Sequence, residues 1–368
     1  MLWDLFCRVI DNHGDVGLSW RLAADLASRG EQVRLWIDDA RALSWMAPAG
    51  AAGVQVRCWP AAATAVEPAD AVIETFGCDL PEPFIAAIAA RARHPVWINL
   101  EYLSAEPYVE RSHGLASPQL AGVAEGLTKW FFYPGFTAGT GGLLREPDLW
   151  QRQSAFNRLA WLGERGLSPR PGEQVVAMFC YANPALPRLI ESWSDRPTLL
   201  LSCPGPIQAQ LDRLQLPSAM RHVALPWLNQ HDFDHLLWSA DLNFVRGEDS
   251  LVRALWAGRP FVWQLYPQHD GAHGRKLEAF LDQFDLAAND SSPGPWRSLW
   301  RAWNGLAPWP GGASSSAAGG SAGGSAGGSP AGWPEPQHWA RACGRWRAAL
   351  AIQPDLSLQL TRFVAERR

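Results

Sequence analysis

Leu5-Phe6-Cys7-Arg8-Val9-Ile10-Asp11-Asn12-His13-Gly14-Asp15-Val16-Gly17-Leu18 reads as a β-rich run, a polar loop broken by glycine, and the start of a helix. Leu18, Leu22 and Leu26 recur at helical spacing, and Gly30 supplies the stop. The next apolar run, Val33-Arg34-Leu35-Trp36-Ile37, ends at Asp38-Asp39 and completes a β-α-β unit. Such units build parallel sheets, because the crossover helix returns the chain to the edge from which it started. Asp70–Phe76 and Val96–Leu100 continue in the same style, each a short β-branched or aromatic run that ends in a polar loop.

A second series begins beyond the loop-rich stretch Pro134–Pro147, with strand candidates at Val175–Phe179, Leu199–Ser202, Asp241–Val245 and Phe261–Gln264 separated by helical segments. The expected fold is therefore α/β, a pair of Rossmann-like domains facing a cleft: residues 1–160, then 161–345, with a terminal helical segment at 346–368 that packs back on the first domain. A chain of 368 residues suits two cores better than one. Residues 310–332 are Gly/Ser/Ala-rich with almost nothing to bury, so they read as a flexible insert dispensable for chemistry.

Composition narrows the function. The net charge is −4 and Lys/Arg clusters are absent, which argues against a nucleic-acid or anionic-membrane surface. No long uncharged apolar run exists and Met1–Asp4 carry no basic-then-apolar signal pattern, so a cytoplasmic protein is expected. Cys7, Cys58, Cys78, Cys180, Cys203 and Cys343 lie too far apart for a CxxC pair or a short metal-ligand spacing, and are read as reduced thiols, mostly buried. The 21 tryptophans outnumber the 14 phenylalanines; most belong in the core, while those beside loops offer flat surfaces for a ligand.

Two loops hold the candidate chemistry. Asp11 and Asp15 stand four residues apart after the first strand, among glycines that admit a ligand to the backbone. Asp15 also occupies a position where a helix needs an N-cap, and the two roles are compatible. The second loop lies in Phe244-Val245-Arg246-Gly247-Glu248-Asp249-Ser250-Leu251, which reads as strand, polar loop and helix start. First-turn amides and the helix dipole at Asp249-Ser250 suit a diphosphate, with the Ser250 hydroxyl as an extra donor and Glu248 accepting sugar or ribose hydroxyls. The bland alternative is that Asp249 or Ser250 only caps and that Arg246 pairs with Glu248. A further polar loop, Pro267–His273, follows the strand Phe261–Leu265 and would complete a nucleotide pocket.

These segments, with Ile98-Asn99-Leu100-Glu101-Tyr102-Leu103-Ser104-Ala105-Glu106, Phe132–Phe136 and Thr140–Leu144, resemble the EarP family of protein-arginine rhamnosyltransferases, which are glycosyltransferases of GT-B architecture. The resemblance spans nearly the whole chain except the Gly/Ser/Ala tract. It implies transfer of L-rhamnose from dTDP-β-L-rhamnose to an arginine of translation elongation factor P, with inversion and without a metal or other cofactor. It assigns Asp15 as general base, Asp11 as its supporting carboxylate and Glu248 as the donor-binding acid. Arg246, Asp249, Ser250 and Tyr181 fall in donor-binding loops, and Phe179, Trp227 and Phe233 line the thymine pocket. His13 departs from the aromatic usual in the family, and Trp227 from the more usual Phe. A monomer is expected, and acids at Asp38-Asp39 and within Asn99–Glu106 are available to a basic acceptor loop.

Two other classes are weaker. A nicotinamide oxidoreductase or nucleotide-sugar epimerase needs G-x-G-x-x-G, whereas the first loop offers only Gly14-x-x-Gly17, and Asp38 alone is a poor ribose marker. A noncatalytic partner of the translation apparatus leaves Asp11, Asp15 and Glu248 without a shared purpose.

Overall fold

The computed structural model describes residues 1–10, 13–59, 66–268, 271–288, 294–310 and 333–368. Contacts divide the chain into one unit of Met1–Arg152 with Leu350–Arg368 and another of Gln153–Ala349. The first division, after Arg152, falls eight residues before the expected 160, and the second, after Ala349, four residues beyond the expected 345. Of the expected insert 310–332, only Pro310 lies among the described residues.

The first unit runs β1 (Leu2–Cys7), α1 (Gly14–Ser28), β2 (Gln32–Ile37), α2 (Leu43–Met46), β3 (Val54–Cys58), β4 (Ala71–Thr75), α3 (Glu82–Ala89), β5 (Val96–Leu100), α4 (Tyr108–Ser112), β6 (Ala116–Pro118) and β7 (Thr128–Phe132). Its seven strands are ordered β3-β2-β1-β4-β5-β7-β6, and every pairing is parallel except β6 with β7. The strand expected at Leu5–Ile10 begins and ends three residues earlier. Pairing with β2 sets it there, since Leu2 faces Gln32 and Cys7 faces Ile37, leaving Arg8–Ile10 to the loop.

Alternation along β1 divides the core. Trp3, Leu5 and Cys7 join the α1 side, where Leu22, Leu26, Leu35 and Ile73 are fully or almost fully buried. Phe6 points the other way with Trp36, Val72, Phe84 and Trp97. Asp4 shares that second face and is wholly buried; Arg34 donates to both its oxygens at 2.6 Å and the Trp36 indole to one at 2.7 Å. A buried carboxylate needs this complete set of partners, because desolvation alone would expel its charge.

The chain continues through α5 (Leu149–Ala155), α6 (Arg158–Glu164), β8 (Gln174–Phe179), α7 (Leu186–Ser192), β9 (Thr198–Ser202), α8 (Pro206–Leu211), β10 (Met220–Ala224), α9 (Gln230–Ser239), β11 (Leu242–Arg246), α10 (Asp249–Ala257), β12 (Phe261–Gln264), α11 (Ala272–Ala288), α12 (Trp296–Trp303), α13 (Pro336–Ile352) and α14 (Leu356–Arg367). The second unit holds a parallel sheet ordered β10-β9-β8-β11-β12. Trp193, Trp256, Trp296, Trp300 and Trp303 are buried in this unit, as the core reading of the tryptophans expects.

The last helix belongs to the first unit. Leu356, Leu360, Phe363 and Val364 of α14 enter the same core as Leu22 and Leu26, and the Phe363 ring meets Phe132 edge-on at 5.3 Å. Asp355 caps α14 by accepting from Leu358 N at 2.9 Å and also pairs with Arg29 at 2.9 Å. Among the described residues no helix is long and apolar enough to cross a membrane. Cys58 is exposed and the other five thiols are buried and unpaired with one another.

His113 gives this unit a pH dependence of known sign. Its Nδ1 accepts from Tyr133 N at 3.1 Å, so the ring is neutral there, and burial with the nearby Arg367 guanidinium lowers its pKa. As the pH drops below about 6.5, the unfolded chain binds a proton that the folded chain resists. The stabilisation is whole above that value and is lost as pH falls through the folded pKa. We expect His113→Asn, which keeps an acceptor, to lose less stability than wild type between about pH 7.5 and about pH 5 in urea titrations; equal losses would contradict this account.

Candidate active site

In the first unit the strand order reverses between β1 and β4, and in the second between β8 and β11. Crossovers leave in opposite directions at such points, so the loops part and leave room at the carboxyl ends of the strands. Among the described candidates, Asp15 lies in α1 after β1, Phe179 ends β8 with Tyr181 just beyond it, and Arg246 ends β11 with Glu248, Asp249 and Ser250 following; Trp227 and Phe233 come instead from the segment between β10 and β11.

Asp15 lies in the first turn of α1 and is nearly buried, at 6% exposure. It is not the N-cap. His13 occupies that position and makes no side-chain capping bond, while Asp15 Oδ2 accepts from Ile10 N at 2.8 Å. The cap reading fails because the helix begins at Gly14, one residue before the aspartate; its charge still favours the positive end of the helix dipole. Asp38 holds the same loop from β2, accepting from Val9 N at 2.9 Å. Asp38 is thus a loop anchor here. The His13 ring stands edge-on to Trp45 at 5.3 Å. Asp11 lies outside the described residues.

Across the switch point, the turn after β4 is strained. Phe76 has φ of +58° and Asp79 of +44°, with Gly77 at +62° between them. A bulky residue there costs roughly 1–2 kcal/mol, and surrounding bonds must hold it. Phe76 N donates to Leu100 O at 2.7 Å and Gly77 N to Asn99 Oδ1 at 3.0 Å. The Phe76 ring then lies parallel to Tyr102, 4.3 Å away and inclined by 11°. Asn99 Nδ2 donates to Glu101 Oε1 at 2.8 Å. Burial, Glu101 and Tyr108 together push Tyr133 up to about 12.

The second unit gathers most of the donor-side candidates. The Arg246 guanidinium, at the end of β11, sits 5.0 Å from the Phe179 ring centre and 4.5 Å from that of Tyr181. Phe179 meets Phe233 of α9 at 5.3 Å, and Tyr181 meets Tyr266 at 5.5 Å. Arg246 Nη1 is buried without a hydrogen-bond partner among the described residues. Trp227 is 47% exposed on the loop that leads into α9.

Arg246 does not pair with Glu248, because Lys276 of α11 holds Glu248 Oε1 at 2.7 Å and the aromatic rings hold the arginine. Glu248 takes the N-cap position of α10 without a side-chain capping bond, Asp249 opens the helix, and the Ser250 hydroxyl donates to the Arg246 carbonyl. That hydroxyl has to turn before it can donate to a phosphate. Gly247, at φ of +68°, makes the bend, and the Trp263 indole donates to its carbonyl at 2.9 Å. Beneath this loop Arg253 of α10 donates to both oxygens of Asp234 of α9 at 2.8 and 2.6 Å, both side chains being buried.

Sequence reasoning missed Lys276 and Tyr266. Lys276 lies 28 residues from Glu248, and only its place on the helix after the Pro267–His273 loop hinted at a role. Among the described residues no three His, Cys, Asp or Glu side chains converge as a metal site.

Two α/β units, each built on a sheet that is parallel except for the β6 edge strand, define the class: this is a glycosyltransferase fold of the GT-B kind. Acinetobacter baumannii MurG is 13% identical with a TM-score of 0.50, each chain covered to 99%. The glycosyltransferase VinC, solved in complex with dTDP, gives the same identity and score over 100% of both chains. At these identities the likeness is one of fold. A family model described as elongation factor P (EF-P) rhamnosyltransferase EarP matches residues 3–365, and the chain belongs to that family. It is 43% identical to the protein-arginine rhamnosyltransferase of Pseudomonas putida, over 98% of both chains, and 40% identical to that of Pseudomonas aeruginosa, over 99% of both. A structure solved for EarP-mediated arginine glycosylation of translation elongation factor EF-P is 30% identical, with a TM-score of 0.62 over 100% of this chain and 99% of the other.

The Asp234–Arg253 pair gives a stability prediction. Arg253→Leu leaves a buried carboxylate without its partner and should cost about 3–5 kcal/mol. Denaturant titration checks this, and a loss below about 1 kcal/mol, the level of an exposed pair, would show that the pair does not hold α9 to α10.

Proposed function

We propose that this protein transfers L-rhamnose from dTDP-β-L-rhamnose to an arginine side chain of translation elongation factor P, inverting the anomeric centre. The observation that carries the donor side is the Arg246 guanidinium against Phe179 and Tyr181 at the N-terminus of α10. Flat rings suit a thymine base, while a fixed cation and first-turn amides suit a diphosphate. Phe233 and Trp227 extend the aromatic lining. Glu248, oriented by Lys276, accepts hydroxyls of the sugar or ribose. Asp249 and the turned Ser250 hydroxyl complete the phosphate end.

Asp15 serves as general base, with Asp11 as the supporting carboxylate. An arginine guanidinium, with a pKa above about 12, has no free lone pair at neutral pH. Proton loss is therefore coupled to bond formation. One guanidinium nitrogen attacks the anomeric carbon while the bond to the diphosphate oxygen breaks and its electron pair leaves with dTDP. The nitrogen's proton passes to the Asp15 carboxylate. Attack opposite the leaving group inverts the centre. The α10 amides and Arg246 receive the departing charge, so no metal or other cofactor is assigned. The protein acts as a monomer in the cytoplasm, with elongation factor P as its protein partner and neither nucleic acid nor membrane as a ligand.

Intact-mass measurement of elongation factor P after incubation with dTDP-rhamnose tests the reading; an unmodified mass under saturating donor would sink it. Asp15→Asn should bind dTDP as wild type does but transfer on the order of 10²–10⁴-fold more slowly. Glu248→Ala and Ser250→Ala should weaken dTDP binding about tenfold by calorimetry. Unchanged affinity in both would remove the donor assignment.

A further inference from the structure

We propose that Glu101 and the Phe76–Tyr102 ring pair form the subsite that holds the guanidinium of the acceptor arginine. This rests on the transferase function above and names the residues that distinguish arginine from other side chains.

The first support is position. β1, β4, β5 and β7 are successive parallel neighbours, so the residues that follow them share one edge of the sheet. Asp15 follows β1, Phe76 follows β4, Glu101 and Tyr102 follow β5, and Tyr133 follows β7. The turn after β4 is tied to the end of β1, since Thr75 Oγ1 donates to Phe6 O at 2.7 Å and Cys78 Sγ to the same carbonyl at 3.4 Å.

The second support is the left-handed Phe76. Gly77 beside it shows that the turn accepts glycine, yet a phenylalanine occupies the strained position and its ring is pinned flat against Tyr102. Strain that persists under such bonding marks a geometry the site uses. Tyr102 stays 44% exposed, so this flat surface reaches solvent.

The third is chemical fit. A guanidinium is planar and weakly hydrated; it stacks on aromatic faces and donates in parallel to a carboxylate. Glu101, next to Tyr102 in sequence, is half-buried, and Asn99 fixes one of its oxygens. Its charge reaches Tyr133, whose ring meets the exposed Tyr108 edge-on at 5.8 Å. A fixed carboxylate in an aromatic rim meets both requirements of arginine, whereas lysine offers neither a planar face nor a forked donor. Division of labour follows: Glu101 binds and orients the N–H groups that stay protonated, while Asp15 takes the proton of the attacking nitrogen.

The test is a binding cycle with full-length enzyme, saturating dTDP and elongation factor P carrying either its target arginine or alanine there. Wild-type enzyme should prefer the arginine form by about tenfold or more, the scale of one charge-assisted bond with a cation–π contact. In Glu101→Gln and in Tyr102→Ala that preference should shrink towards one, with dTDP affinity unchanged and the KM for elongation factor P raised. Retention of the full preference by both variants, with dTDP binding intact, would overturn the subsite while leaving the transferase reading in place. Failure of wild-type enzyme to modify elongation factor P would instead overturn the functional reading, and this subsite with it.

Discussion

A strand whose next neighbour runs parallel to it must be followed by a crossover, and crossovers confine the loops after parallel strands to one edge of a sheet. Where the strand order reverses, between β1 and β4 and again between β8 and β11, the loops separate and the edge opens. Asp15 and Phe76 flank one such opening, Phe179 and Arg246 the other. The apolar strands thereby determine where polar chemistry can be placed, long before any polar residue is chosen.

Charge is then handled in two ways according to burial. Asp4–Arg34 and Asp234–Arg253 are dry, bidentate pairs that lock strands and helices. Removal of one partner leaves the other desolvated, so these pairs resist exchange. Glu248–Lys276 is partly exposed, with side-chain exposures of 16% and 23%, and water can share its charges. A ligand hydroxyl can therefore compete for Glu248 at modest cost. One rigid pair, Asp234–Arg253, underlies the donor loop, and the adaptable Glu248–Lys276 pair faces the ligand side.

Much of this was legible in the sequence, because buried parallel strands are short apolar runs between polar loops. Val33–Ile37, Val96–Leu100 and Phe261–Gln264 appear almost as read. The donor loop was legible as strand, Gly247 bend and helix start. Local pairing was less so: Arg246 and Glu248, two residues apart, take partners from separate elements because the bend at Gly247 turns their side chains apart. Asp15 looked like a cap because side-chain preference is clearer than the position of a helix's first turn. The left-handed Phe76 carries no sequence signal, since contacts distant in sequence hold the turn: Phe76 N on Leu100 O, Gly77 N on Asn99 Oδ1 and the Phe76 ring on Tyr102.

The α14 side chains have a consequence for biosynthesis. Leu356, Leu360, Phe363 and Val364 complete the core that Trp3, Leu5 and Leu22 begin, and they emerge from the ribosome after the whole of Gln153–Ala349. Vectorial synthesis ordinarily lets the amino-terminal domain mature first. Here the residues that fill the first unit's core are the last to be made, so that core stays incomplete until the whole of Gln153–Ala349 has left the ribosome.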